Sequence, residues 1–245
     1  MEVFGNVMMV FNRNTAPLIP LIPLNNFISY WKFDGNSNDS VGSNNGTPTS
    51  ITYSTGLIGQ AAVFNGTTSK VVVPDAANLS FGNGTSDVDF STICLIKIAN
   101  RAAFPRIFIK VNADGTQAEY LLTIFNDKAR ALNIDASASA SIRTDYGLNL
   151  VQNTYIVVTT TYKASTKDLK IYVNNSVYNI DSNSGVYTAM EIGTGNLSIG
   201  FDPRSSGSGF LDGEINALAL LNVELTVNQV ADVVERYLTD NRHLI

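Results

Sequence analysis

From Asn26 onward this sequence is built of short runs in which large β-branched or aromatic residues alternate with smaller or polar ones, each run closed by a cluster of Asn, Asp, Gly or Ser. Successive side chains of a strand point to opposite faces, so such runs bury one face and wet the other, while the clusters supply turns. TICLIKIA, RIFIKV, YLLTIFN, the two halves of TYIVVTTTYKASTKDLKIYVNNSVYNI and the two ends of NLSIGFDPRSSGSGFLDGEINALALLN are strands on this reading. AAVFNGTTSKVVVPD predicts strands at Ala62 to Phe64 and Val71 to Val73 joined by a tight hairpin-like connection at Asn65-Gly66. Asn126-Asp127 predicts a further turn and Asn174-Asn175 a second hairpin, whereas ALNIDASASASI, with its alternating Ala and Ser, reads as one strand with a half-buried face. The period changes only near the end. There TVNQVADVVERYL places Val227, Val230, Val234, Tyr237 and Leu238 at helical spacing behind a Thr226 and Gln229 capping-box pair. The expectation is an all-β, two-sheet antiparallel sandwich with a short C-terminal helix.

Residues 1–25 follow a different rule. In PLIPLIPL, Pro17, Pro20 and Pro23 recur at the three-residue repeat of polyproline II, which sets Leu18, Leu21 and Leu24 on one edge. Such a segment builds no core by itself; it either folds back as a rigid connector or docks those leucines on another subunit. The chain thus divides into an N-terminal proline-spaced arm, 1–25, and one domain, 26–245, long enough to bury a substantial core. With 16 Lys+Arg against 21 Asp+Glu and no basic run, nucleic acid is not the expected partner. Cys94, the single cysteine, sits among apolar residues and reads as a small core hydrophobe. The opening MEVFGNVMMV carries Glu2 and no basic leader, so no secretory signal is expected, and no apolar run is long enough for a membrane insertion.

Tyr30 to Thr47, YWKFDGNSNDSVGSNNGT, holds the only tryptophan and runs from an aromatic strand into a polar loop. Asp34, Asn36 and Asn38 have the spacing that aims alternate oxygens at a hard cation, and Asp39 adds a carboxylate, so calcium is the cofactor this loop suggests, with Asp34, Asn36 and Asp39 as ligands. An EF-hand would need glycine at position 39 and glutamate at position 45, where Asp39 and Asn45 stand, so the alternative is that these side chains cap turns through their own backbone. His243, the only histidine, lies in the polar tail TDNRHLI and is expected to be exposed; a histidine triad or metal cluster has no materials.

The order of YWKFDGNSNDSVGSNNGT, GLIGQAAVFNGTTSKVVVPD, TTTYKASTKDLKIYVNNS and GFLDGEINALALLNVELTVNQV resembles the laminin G-like, pentraxin-related branch of the concanavalin A-like lectins and glucanases. The resemblance implies a jelly roll of two curved sheets whose concave face or rim loops hold ligands. Glucanases of this fold set two or three carboxylates on one strand, because a retaining mechanism needs them about 5 Å apart. The nearest match, GEINALAL, offers Glu214 alone, followed by Asn216, Leu218 and Ala219, so no enzyme activity is expected and Glu214 reads as a solvated strand-end carboxylate. Glycan binding would use aromatic faces near loops, for which Tyr146, Tyr187 and Phe201 are the candidates. The leading functional expectation is a non-enzymatic structural or attachment protein of a large assembly, a bacteriophage virion surface component that displays its sandwich to host glycans and contacts other subunits. The alternatives are a calcium-dependent carbohydrate-binding module of an exported, extracellular protein, and a divergent glycoside hydrolase.

Overall fold

The alternating runs form sixteen strands in a computed structural model that describes residues 22–101, 104–112, 114–116, 118–204 and 209–245. In chain order they are β1 (Phe27–Trp31), β2 (Thr47–Thr49), β3 (Thr52–Thr55), β4 (Gln60–Asn65), β5 (Lys70–Val73), β6 (Phe90–Asn100), β7 (Arg106–Val111) and β8 (Ala118–Phe125). They continue with β9 (Lys128–Asp135), β10 (Ala140–Tyr146), β11 (Tyr155–Lys163), β12 (Asp168–Val173), β13 (Ser176–Val177), β14 (Asn179–Asp181), β15 (Leu197–Ile199) and β16 (Asp212–Leu221), before helix α1 (Val227–Val234). The first sheet has the order β13-β12-β11-β6-β16-β4-β3, with β1 also paired to β16; the second runs β14-β10-β9-β8-β7-β15-β5-β2. Between them lies the main core, in which Trp31, Phe33, Phe64, Phe90, Tyr120 and Tyr162 are buried with the inward aliphatic residues of both sheets. Cys94 is fully buried there, and burial drives its thiol pKa far up, which fits the core role.

The two sheets differ in what covers their outward faces. On the first, Ile93, Leu95, Ala217, Ala219 and Leu221 are covered by Val230, Val233 and Val234 of α1 and by Tyr237 in the helical turn that follows it. Fully burying each such side chain stabilises by about 1.5–3 kcal/mol. Both halves of the Thr226 and Gln229 capping box are made, while Val227 is 63% exposed and lies off the apolar stripe on which its spacing placed it. His243 is not an exposed tail residue: its Nδ1 is 3.0 Å from the Tyr30 hydroxyl, and the Leu244 amide donates to that hydroxyl at 3.2 Å, so the tail packs back on β1. Burial, with Lys32 nearby, lowers the His243 pKa. Ile22 joins the same cluster, so packing onto the sandwich begins before position 26, whereas Leu24 is 58% exposed on a single 3-10 turn. Leu18 and Leu21 lie outside the described residues.

Two local expectations are corrected. Asn65-Gly66 does not close a hairpin, since β4 belongs to the first sheet and β5 to the second. The Asn65 side chain accepts hydrogen bonds from the Thr67, Thr68 and Ser69 amides, so the same polar residues cap a corner between sheets. ALNIDASASASI is two strands, because the Asp135 carboxylate accepts from the Ser137 hydroxyl and Ala138 amide and nucleates a turn before β10. Asn174-Asn175 is the expected hairpin, with Val173 paired to Ser176. At the β8 to β9 turn Asn126 and Asp127 both take positive φ, as a two-residue connection between paired strands requires. Among the described residues no helix is long and apolar enough to cross a membrane.

Candidate functional site

The polar loop after β1 spends its oxygens on its own backbone. Asp39 is turned inward: its Oδ1 accepts the Tyr30 amide at 2.9 Å and the Val41 amide at 3.1 Å, and its Oδ2 accepts the Asn44 amide at 3.2 Å. Asp34 Oδ1 accepts the Gln60 amide and Asn36 Oδ1 the Asn38 amide. The three residues expected as calcium ligands thus each accept at least one backbone amide, and no group of three or more His, Cys, Asp or Glu with metal-binding placement occurs among the described residues. Asn216, at the late-strand position, is fully buried and held by the Ile58 amide and the Ile58 and Gln60 carbonyls. Glu214 is no solvated strand end either, for it pairs with Lys97 at 2.6 Å and accepts from the Tyr155 hydroxyl at 2.6 Å, on the outward face of the first sheet.

The outward face of the second sheet is organised differently. The antiparallel register lines up Val72, Ser198, Ile109, Leu121, Leu132 and Arg143 across six strands. Sequence neighbours Val71, Leu197, Leu122 and Ala131 point into the main core, so this row points out, and Ile109, Val111, Ala118 and Leu121 form a separate cluster with Leu132 and Ile134. Ile109 and Leu121 are nonetheless only 0% and 6% exposed, so the middle of this outward row is covered, and a depression opens toward its β5 and β15 end, over Val72 and Ser198.

A second register row, Arg106, Thr123, Arg130, Asp145, makes the wall beside it. Arg106 donates through Nε to Asp202 at 2.9 Å and through Nη1 to Thr123 at 2.7 Å, and Arg204 clasps both Asp202 oxygens at 2.9 and 2.8 Å. Arg130 grips Asp145 bidentately at 2.6 and 2.7 Å while its guanidinium lies 3.6 Å from the centre of the Phe125 ring. Phe104 stacks on Phe125 at 4.9 Å and leaves about half of its surface in solvent. Burial pushes the Asp202 carboxyl up, but hydrogen bonds from Arg204 and the Arg106 charge bring it down to about 2, so it stays ionised. Three arginines therefore face two aspartates beside the apolar row, and the trough along them suits a ring that stacks on an aromatic face and carries an acidic group.

The three aromatic candidates are not brought together. Phe201 borders the trough, stacked on Phe210 with Lys70 over its ring, beside a depression of about 180 Å³ floored by Val72, Ser198 and Val111. Tyr187 donates to Asp87 at 2.7 Å, as does Tyr162 at 2.6 Å, and closes a loop through that shared carboxylate. Tyr146 is 6% exposed and packs in the main core. The sequence analysis does not single out the arginines or Phe125, although KARALNID holds a usable signal: alanine at its first two inward positions, 129 and 131, between Lys128, Arg130 and Leu132 marks a strand whose outer face carries the larger groups.

A sandwich of two antiparallel sheets followed by one short helix is a lectin-like architecture. The model of the concanavalin A-like lectin/glucanases superfamily matches residues 65–231, more than half of the chain, which belongs to that superfamily. None of the curated proteins matches the sequence. Among solved structures, Domain 4 of AbnA, a GH43 extracellular arabinanase from Geobacillus stearothermophilus, in complex with arabinotriose, is similar at 18% identity with a TM-score of 0.60, covering 85% of this chain and 98% of that one. The binding domain of Paraclostridial Mosquitocidal Protein 1 is similar at 15% identity and TM-score 0.64, covering 88% of this chain and 53% of that one. The Botulinum neurotoxin serotype D ligand binding domain in complex with N-acetylneuraminic acid gives 15% identity and TM-score 0.64, covering 86% and 51%. This chain spans about half the length of the two toxin domains, and at these identities the likeness is one of fold.

Proposed function

We propose that this protein is a non-catalytic attachment module that binds acidic glycans in the trough on the second sheet. The observation that carries the reading is the in-register wall of Arg106 and Arg130, with Arg204 joined through Asp202, beside an outward apolar row. A guanidinium presents fixed parallel donors to a carboxylate, and Phe104 offers a face on which a sugar ring stacks. Arabinotriose and N-acetylneuraminic acid bound to two structural neighbours are sugars, the second an acidic one, and both support the class of ligand. A non-catalytic role is supported by charge. A glycosidase of this kind needs two carboxyl groups set across one cleft, whereas Asp202 and Asp145 are each gripped by arginine and Glu214 lies on the other sheet against Lys97. Recognition through guanidinium groups needs no metal. On this reading the sandwich is displayed by a larger assembly, such as a bacteriophage virion surface, as the toxin binding domains display theirs within longer chains.

Glycan-panel binding by wild type and Arg130→Gln tests the reading. Sialylated and uronate-containing oligosaccharides are expected to bind above neutral ones, to weaken with added salt, and to lose roughly tenfold or more in affinity in the variant. Equal binding of acidic and neutral glycans, an unaffected variant, or release of hydrolysed product would contradict it.

A further inference from the structure

At the far edge of the sandwich the chain passes from the edge of the first sheet, β13, to the edge of the second, β14, through the single residue Tyr178. Opposite this crossing the segment after β10 travels to β11, and between them opens a cleft of about 570 Å³. Its base is formed by Tyr146, Leu150, Ile156 and Val173, all buried in the main core. Leu148 and Val151 stand on its flank, 53% and 60% exposed, and the side chains of Asn149, Asn175 and Ser176 are exposed around it. None of the residues that line it is charged.

The walls are held in place from behind. The Leu150 amide donates to the Asp127 carbonyl at 2.8 Å, the Asn153 amide to the Ile98 carbonyl at 2.8 Å, and the Gly147 amide to the Tyr178 carbonyl at 2.6 Å. Asn174 is tied to Val157 twice, its amide donating to the carbonyl at 2.7 Å and its Oδ1 accepting the Val157 amide at 3.0 Å. Gly147 lies so close under the Tyr178 ring that a Cβ there would come within 2.4 Å of it, which sets a 54%-exposed aromatic ring at the margin of the cleft.

We propose that this cleft is a second binding site, separate from the trough, and that it takes an uncharged sugar residue. A neutral pyranose has an apolar C–H face and a rim of hydroxyls, which matches aliphatic walls bordered by amide and hydroxyl side chains. A charged ligand would lose hydration here with no opposite charge to replace it. The volume lies within the roughly 300–1,000 Å³ of small-molecule sites. A strand from another protein is a poor fit, because β13 and β14 offer two and three residues for pairing. An aliphatic chain would leave the three polar side chains without a role. Backbone hydrogen bonds fix the wall residues to the rest of the sandwich, so little ordering cost is expected on binding.

The test is amide-resolved NMR titration of the full chain with the methyl glycosides of glucose, galactose and N-acetylglucosamine and with methyl glucuronide. Shifts at Gly147 to Leu150 and Asn174 to Ser176, produced by at least one neutral glycoside, weaker for the glucuronide and unchanged by added salt, are the expected result. Leu148→Arg, at an exposed position, should weaken that binding about tenfold and Asn175→Ala should weaken it measurably, while Arg130→Gln leaves it intact. The last comparison separates this site from the trough: loss of the salt-sensitive acidic response in Arg130→Gln with the neutral response retained supports two sites. No shift at these amides with any neutral glycoside, a stronger response to the glucuronide, or concentration-dependent self-association through this edge would overturn the proposal.

Discussion

Replacing Lys110 with methionine is expected to destabilise the protein by about 3–5 kcal/mol, because it leaves an unpaired carboxylate in the interior. Lys110 and Glu119 are both fully buried, 2.9 Å apart, and Lys110 also reaches Asp75 at 2.7 Å and the Gly195 carbonyl at 2.9 Å. Burial raises the Glu119 pKa against the opposing pull of Lys110 and the Gly193 amide, so the carboxylate depends on its partners to remain charged. A carboxyl with a raised folded-state pKa favours the fold below its unfolded pKa and loses that contribution as pH rises through the folded value. The deficit of Lys110→Met should therefore shrink as pH falls and Glu119 takes up a proton. Adding Glu119→Leu should recover most of the loss, since an apolar pair of similar volume replaces the ion pair. Urea unfolding of the two single variants and the double variant, at neutral and acid pH, measures all of this. A loss under about 1 kcal/mol would mean that the pair is better hydrated than its burial implies. Strands β7 and β8 carry this pair as well as Arg106 and Thr123 of the trough wall, so the same variant should blunt acidic-glycan binding.

Asp39→Ala should cost about 3 kcal/mol. It strips the acceptor from three backbone amides at the start of the fold, and an unsatisfied buried donor costs about 1–3 kcal/mol. Not all of that cost is realised, because Val41 sits where the loop meets solvent. Asp39→Asn, which keeps one acceptor oxygen, should cost less. The loss is expected to be the same with and without calcium, since both carboxylate oxygens serve the chain itself. Thermal melting of both variants in calcium and in chelator checks this, and a loss seen only in calcium would show that the loop is a metal site.

These two residues also mark how far the sequence could be read. Period and turn chemistry are local, and they yielded the strands, the Asn174 hairpin, the Thr226 cap and the core role of Cys94, because alternation and hydrogen-bond capping act over a few neighbours. Whether a turn joins partners in one sheet or crosses to the other is decided by distant pairings. Asn65-Gly66 was therefore misread, although its turn residues were recognised. For the same reason an Asp-x-Asn-x-Asn spacing could not distinguish oxygens aimed at a cation from oxygens aimed at backbone amides. His243 reads as a tail residue in sequence because its partner, Tyr30, is 213 residues away. The trough was least legible of all: its residues come from β5, β15, β7, β8, β9 and β10, and only the registry of the sheet brings them into rows.

The central claim is that the outward face of the second sheet holds an acidic glycan without cleaving it. A crystal structure of the protein with a sialylated trisaccharide tests it most directly. The account predicts an intact sugar in the trough, its carboxylate within hydrogen-bonding distance of Arg106, Arg130 or Arg204 and a ring against Phe104. A sugar seated only on the first sheet or the polar loop after β1, or a cleaved product beside Glu214, would contradict it.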